Sequence, residues 1–250
     1  MLLLHGQPGS AGDWRAVASD LSRDHQVIVP DRLGYGRTGG RAAGFAVNAN
    51  SLAKLLSAVG AERALVVGHS WAGGVALEMA LDFPRLVAGV GLFASVSPWE
   101  PPGTLDRLLA RPLVGTSMVV VTLSTAGRLL SWRPGRAFAG WRLRGQPAEQ
   151  LSELAGSWRR RSTWRSFAVE QQALVHELPA LGPRLPSIGV PTVVVVGSID
   201  RVVPASTGRQ LAANIPGAAL EVVPGGGHLL PQLQPGTVAT AVRRLAARSF

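Results

Sequence analysis

Arg63-Ala64-Leu65-Val66-Val67-Gly68-His69-Ser70-Trp71-Ala72-Gly73-Gly74-Val75-Ala76-Leu77-Glu78-Met79-Ala80 decides how this chain folds. An apolar β-branched run enters it and a helical pattern leaves it, so Gly68–Gly73 must be a tight turn that carries a serine from a strand into a helix. Small residues on both sides allow the sharp bend, and Ser70 is lifted clear of the sheet at a helix N-terminus. The last position of the Gly-x-Ser-x-Gly pattern is Ala72, backed by Gly73 and Gly74. A serine capping an ordinary helix is the plainer reading of this stretch by itself.

Two stretches near the C-terminus shift that balance. Pro191-Thr192-Val193-Val194-Val195-Val196-Gly197 reads as a buried strand and runs into Ser198-Ile199-Asp200, which puts an acid just past a strand end. A second strand, Ala219–Val223, leads through Pro224-Gly225-Gly226-Gly227 to His228, on a loop flexible enough to fold back over a sheet edge. Ser70, Asp200 and His228 follow one another in the nucleophile–acid–base order of an α/β-hydrolase, and not in that of chymotrypsin or subtilisin.

From Met1 almost to Phe250 the chain resembles the α/β-hydrolase fold superfamily. Met1-Leu2-Leu3-Leu4-His5-Gly6-Gln7-Pro8-Gly9 resembles its strand and His-Gly loop, and Pro30-Asp31-Arg32-Leu33-Gly34-Tyr35-Gly36-Arg37 resembles its Asp-Arg-x-Gly-x-Gly-x-Ser segment, with Thr38 in the serine position. The resemblance implies a mostly parallel sheet with helices on both faces. It implies a core at 1–96 and 187–250 and a helical cap insertion at 97–186. The family usually carries an antiparallel hairpin of two strands before the strand that starts here at Met1, so the expectation is either that the chain has lost those strands or that its start is placed too late. Strands are predicted at Leu2–His5, Gln26–Pro30, Leu65–Gly68, Val87–Phe93, Thr192–Gly197 and Ala219–Val223. Helices are predicted at Asp13–Ser22, Ala46–Val59, Trp71–Asp82, Ala205–Ile215 and Gly236–Ala247.

A chain of 250 residues with 46% hydrophobic content suits one α/β domain with an insertion. It holds no cysteine, which excludes disulfides and thiolate metal sites, and its five histidines lack metal-ligand spacing. No cofactor and no metal are expected. His5 is read as supporting the His-Gly loop, His69 as packing beside Ser70, and His25 and His176 as surface residues. Met1–Leu4 lacks the basic start and the length of a signal peptide, so the expected location is cytoplasmic.

Twelve arginines against six acids fall within 97–186, out of a whole-chain charge of +10, together with Trp99, Trp132, Trp141, Trp158 and Trp164. Since 24 of the 25 basic residues are arginine, with Lys54 the exception, the bias reflects coding as much as function, and nucleic acid is not an expected partner. Arg159-Arg160-Arg161 reads as a solvated helix face. Pro112–Gly127 is uncharged but short of the roughly 20 apolar residues of a bilayer span. It is expected to face the active-site tunnel, with Met118 and Val120 in the pocket. Membrane-surface contact through its flanking arginines is the lesser reading.

The family resemblance implies a serine hydrolase working through an acyl-enzyme on a small-molecule substrate. Ser70 would be nucleophile, His228 base and Asp200 the orienting acid, and the backbone N–H groups of Gln7 and Trp71 would form the oxyanion hole. Trp71 is also expected in the pocket wall, and Glu100 is the second choice for the acid. Epoxide hydrolases and haloalkane dehalogenases of the family carry an Asp nucleophile, so Ser70 argues against both. Carboxylester hydrolysis is the default, with carbon–carbon bond hydrolase, lactonase or cofactor-free haloperoxidase-like chemistry as alternatives. The basic cap mildly favours substrates bearing a carboxylate. A non-enzymatic binding protein on the same fold is the reading from a different class.

Overall fold

The structure is a computed structural model that describes residues 1–142 and 148–250, with side chains outside 140–150. Arg144 and the side chain of Trp141 thus lie outside the described residues. Five strands, β1 (Leu2–Leu4), β2 (Ala64–His69), β3 (Val87–Phe93), β4 (Thr192–Gly197) and β5 (Ala219–Val223), form one sheet in the order β1-β2-β3-β4-β5. All four pairings are parallel. The apolar runs are near-continuous because both faces of the sheet are covered. Alternate residues go to opposite sides. Leu2, Leu4, Val66, Val90, Leu92, Val194 and Val196 pack on one face with α2 (Phe45–Ala58), α3 (Ala72–Asp82) and α10 (Ala205–Asn214). Leu3, Leu65, Val67, Val193 and Val195 pack on the other with α1 (Arg15–Leu21) and the C-terminal helix α11 (Pro235–Ser249).

The predicted elements agree with these to within a residue or two, except the strand at Gln26–Pro30. Only Ile28 bridges to the sheet there, beside Leu2, through Leu3 N–H to Ile28 O at 2.9 Å and Ile28 N–H to Met1 O at 2.8 Å. Asp31 explains why the ladder stops: it turns away at once to accept from Ala11 N–H and Arg37 N–H at 2.9 and 2.8 Å. Asp13–Ser22 begins as a 3-10 turn, Ala11–Trp14, because the Ser10 and Asp13 side chains form a capping box that tightens the entry to α1.

Between β3 and β4 the described residues are helical: α4 (Thr104–Leu109), α5 (Pro112–Ser131), α6 (Arg133–Arg142), α7 (Ala148–Trp158), α8 (Arg161–His176) and α9 (Leu178–Leu181). This is the cap. It follows that the ends of β1, β2, β4 and β5, and the cap that crosses over them, share one edge of a parallel sheet. Any side chain just past those strand ends is brought to the same place.

Candidate active site

Ser70 is one of two non-glycine residues at positive φ among the described residues, at +54°, a backbone state that persists only where the surroundings enforce it. Ser70 N–H donates to Phe93 O at 2.9 Å, and Ser70 O accepts from Gly73 N–H at 3.0 Å. Gly68 is required two residues earlier, since a Cβ there would sit 2.4 Å from the Ala72 carbonyl oxygen. Ala72 fills the last motif position with a buried methyl group. Gly73 is the position that admits no side chain, because a Cβ would meet Ser95 Oγ at 1.7 Å.

His228 reaches Ser70 from the loop after β5, its Nε2 3.0 Å from Ser70 Oγ. Its Nδ1 lies 2.9 Å from Asp200 Oδ2. The other oxygen of Asp200 accepts from Val202 N–H and Val203 N–H at 2.8 and 3.0 Å. An ionised Asp200 fixes the proton on Nδ1 and leaves Nε2 as the acceptor for the serine hydroxyl. Burial alone would raise the Asp200 pKa; the His228 hydrogen bond and charge, with the two backbone donors, hold it below the ordinary value. The acid loop and the histidine loop meet backbone to backbone, with a Cβ on Gly197 falling 2.3 Å from Gly226 O, which explains the glycines on both. Glu100 lies in the cavity wall, where it accepts from Thr207 Oγ1 and makes no contact with His228.

His69 holds the histidine loop from below: its Nε2–H donates to His228 O at 2.8 Å. Burial and the neighbouring His228 push its pKa down to about 3, so it is neutral and fixed as a donor. His5 is equally constrained, with Nδ1–H donating to Gly6 O and Nε2 accepting from Arg32 N–H, at 2.9 and 3.0 Å. Burial and Arg32 keep it well below the ordinary histidine range. The N–H groups of Gln7 and Trp71 have no acceptor among the described residues, and both residues border the cavity beside Ser70. The Trp71 ring stacks on Phe45 with centroids 4.3 Å apart, donates to Glu170 O at 3.0 Å and carries the Arg32 guanidinium over its face at 4.5 Å, so its position is set from three sides.

One cluster joins two residues of a sequence motif, Arg32 and Tyr35, to a partner that no sequence signal marked. Arg32 is wholly buried; its Nε donates to His5 O at 2.8 Å, its Nη2 to Gly6 O at 2.9 Å, and its Nη1 to Glu170 Oε1. Tyr35 donates to the second oxygen of Glu170 at 2.7 Å. Glu170 belongs to α8, 138 residues away in sequence, so no local pattern could connect them. The pair ties the cap to the His-Gly loop.

The cavity above Ser70 measures about 750 Å³ and is closed by Leu154 and Trp158 of α7 and Phe167, Gln171 and Leu174 of α8. Met118 and Val120, expected in the pocket, do not line it, nor does any other residue of α5. That helix turns Gly115, Val119, Leu123, Ser124 and Gly127 inward onto the rest of the cap, and α7 and α8 lie between it and the cavity. The charged residues in the wall besides His228 are Asp13, Glu100, Asp106 and Glu153, all acidic. No arginine or lysine lines it among the described residues, which corrects the expectation that the basic cap would grip a carboxylate. Gln171 Oε1 and Gln232 Oε1 are buried in the same wall without a hydrogen-bond partner.

A parallel sheet whose edge gathers a strained serine, an imidazole and a carboxylate defines the class of α/β hydrolases. A model of the alpha/beta hydrolase family matches residues 1–241, and the chain belongs to that family. The chain is 28% identical over 249 residues to a 2-hydroxy-6-oxo-6-phenylhexa-2,4-dienoate hydrolase of Burkholderia cepacia, covering 91% of this chain and 80% of that protein. It is 30% identical over 245 residues to the magnesium-chelatase 30 kDa subunit of Rhodobacter capsulatus, covering 93% and 81%. A thermophilic esterase from Thermogutta terrifontis superimposes with a TM-score of 0.78 at 23% identity, covering all of this chain and 90% of the other, a likeness of fold.

Proposed function

We propose that the protein is a serine carboxylester hydrolase acting on small acyl substrates that are uncharged or cationic. The hydrogen-bonded chain Ser70–His228–Asp200 at the floor of an acceptor-rich cavity carries this reading. Ser70 Oγ attacks the acyl carbonyl as His228 Nε2 takes its proton; the imidazolium, held by Asp200, returns that proton to the leaving alkoxide. Water then attacks the acyl-enzyme by the same route and releases the acid. The oxyanion of each tetrahedral intermediate is held by the N–H groups of Gln7 and Trp71, and loss of one such donor typically costs about 10²–10³ in rate.

The wall speaks to the substrate. A second carboxylate brought beside Asp13, Glu100 and Asp106 meets like charge, which disfavours the dienoate acids named for the Burkholderia relative; Glu153 is already paired with Arg15 at 2.8 Å. A fluorophosphonate probe should label the wild type and leave Ser70→Ala unlabelled. Equal labelling of both would remove Ser70 as nucleophile. In parallel, kcat/KM for an uncharged acetate ester or a choline ester should exceed that for a succinate monoester by at least tenfold.

A further inference from the structure

α5 is 20 residues long and by length and composition alone could cross a membrane, yet it is committed on one side to its own cap. A Cβ on Gly115 would lie 1.9 Å from Leu109 O, and one on Gly127 would lie 2.8 Å from Arg159 Cγ, so the helix backbone is pressed onto its neighbours. Its other side has no cover among the described residues. Leu113, Val121, Leu129 and the C-terminal Trp132 are 84%, 63%, 55% and 63% exposed. Ser117 and Thr125 fill the intervening turns, so these positions recur at three or four residues and wind as a stripe along the exposed half of the helix.

Charge is arranged around that stripe in one sign. From Arg107 to Ala148 the sequence has seven arginines and no aspartate or glutamate. Arg111 stands at the start of α5, Arg128 within its exposed face and Arg133 just past its end, all exposed. None of Arg107, Arg111, Arg128 and Arg133 pairs with a carboxylate among the described residues. An apolar stripe with free cations along it, on a helix whose back is packed on protein, matches a helix that lies in a lipid interface and does not span it.

A second copy of the chain would fit the apolar stripe but not the charge. A two-fold dimer through this face would bring Arg111, Arg128 and Arg133 against the same residues of its mate. Anionic lipid headgroups offer the opposite sign. At the far end of the stripe, Leu129 and Trp132 open into an almost wholly apolar groove of about 500 Å³ whose inner wall includes Leu154 and Trp158. Those two residues also close the catalytic cavity, so the uncovered face and the cavity over Ser70 share a wall.

We infer that the exposed face of α5, with its arginines, docks the protein on an anionic lipid bilayer surface. The full chain should co-sediment with vesicles of phosphatidylglycerol and phosphatidylcholine at least tenfold more strongly than with phosphatidylcholine alone, and salt should weaken the binding. L113Q/V121Q/L129Q/W132Q and, separately, R111E/R128E/R133E should each reduce that partition at least tenfold. All seven positions are exposed, so the melting temperature and the turnover of a soluble short-chain ester serve as folding controls and should not move. If either set misfolds, the single changes Leu113→Gln and Arg128→Glu should each still weaken binding at least twofold. Partition that ignores lipid charge, or variants that bind like the wild type, would overturn the inference. So would a solution dimer that the apolar substitutions dissolve, which would assign the face to a second copy. Failure of Ser70 labelling would sink the hydrolase reading and leave this binding result standing.

Discussion

Replacing Glu170 with glutamine tests how the cap is fastened to the site. The substitution keeps the shape of the side chain and the hydrogen bond from Tyr35, but removes the charge paired with Arg32. Both side chains are 0% exposed, so the guanidinium would be left uncompensated in a low-dielectric interior. Breaking a buried pair in this way costs about 3–5 kcal/mol, against 0–1 kcal/mol for an exposed one. At about 2–4 °C per kcal/mol for a domain of this size, the melting temperature should fall by roughly 6–20 °C. Arg32 also donates to the carbonyls of His5 and Gly6, next to Gln7, so kcat measured well below the melting point should fall as the Gln7 N–H loses its aim. Denaturant and thermal melts of Glu170→Gln, Arg32→Met and the double variant form a cycle, in which the double should cost less than the sum of the singles by about 1 kcal/mol or more. A melting temperature lowered by less than about 2 °C, with additive singles, would mean that Arg32 is not held by Glu170 and that the argument from burial fails.

Asp200→Asn should cut ester turnover by about 10⁴ while changing the melting temperature little, because the histidine tautomer is lost and the fold is kept; unchanged turnover would move the acid elsewhere. Asp13 gives a pH signature. Burial raises its pKa from 3.8 to about 6, so the folded state binds this proton more tightly than the unfolded one, and stability is lost as pH rises through that interval, by up to about 3 kcal/mol. Asp13→Asn should abolish that loss in melts compared at pH 4.5 and pH 8, and a wild-type profile flat between the two would refute the assignment. Gly68→Ala should cost about 1–3 kcal/mol of strain at the turn and most of the activity, read by melting and by probe labelling; full labelling would show that the turn tolerates a Cβ.

The order of motifs in the chain was enough to bring Ser70, Asp200 and His228 to one edge, because in a parallel sheet a residue's place just past a strand end determines where it arrives. That logic is local and survives errors of a residue or two at element ends. It failed at Gln26–Pro30, where a strand-like composition was overruled by the turn at Asp31. It could not reach Arg32, Tyr35 and Glu170. Arg32 and Tyr35 were visible inside a motif, but their partner lies on a cap helix more than 130 positions later, and a lone glutamate in an amphipathic helix carries no mark of burial.

The cap shows why a charge count misleads about a binding site. Twelve arginines in 97–186 suggested a cavity made for anions. Helical spacing, not composition, decides which side a charge faces. Arg111, Arg128, Arg159, Arg160 and Arg161 sit at exposed positions and line no part of the cavity over Ser70, whereas Asp106 and Glu153, fewer and scattered, border it, with Glu153 half-exposed and paired with Arg15. A buried arginine in the cap would need a carboxylate to offset its desolvation, and the one buried carboxylate there among the described residues, Glu170, is already taken by Arg32. Arg111, Arg128, Arg159, Arg160 and Arg161 are therefore left on the outside, open to a partner of opposite charge, and the cavity wall carries the minority sign.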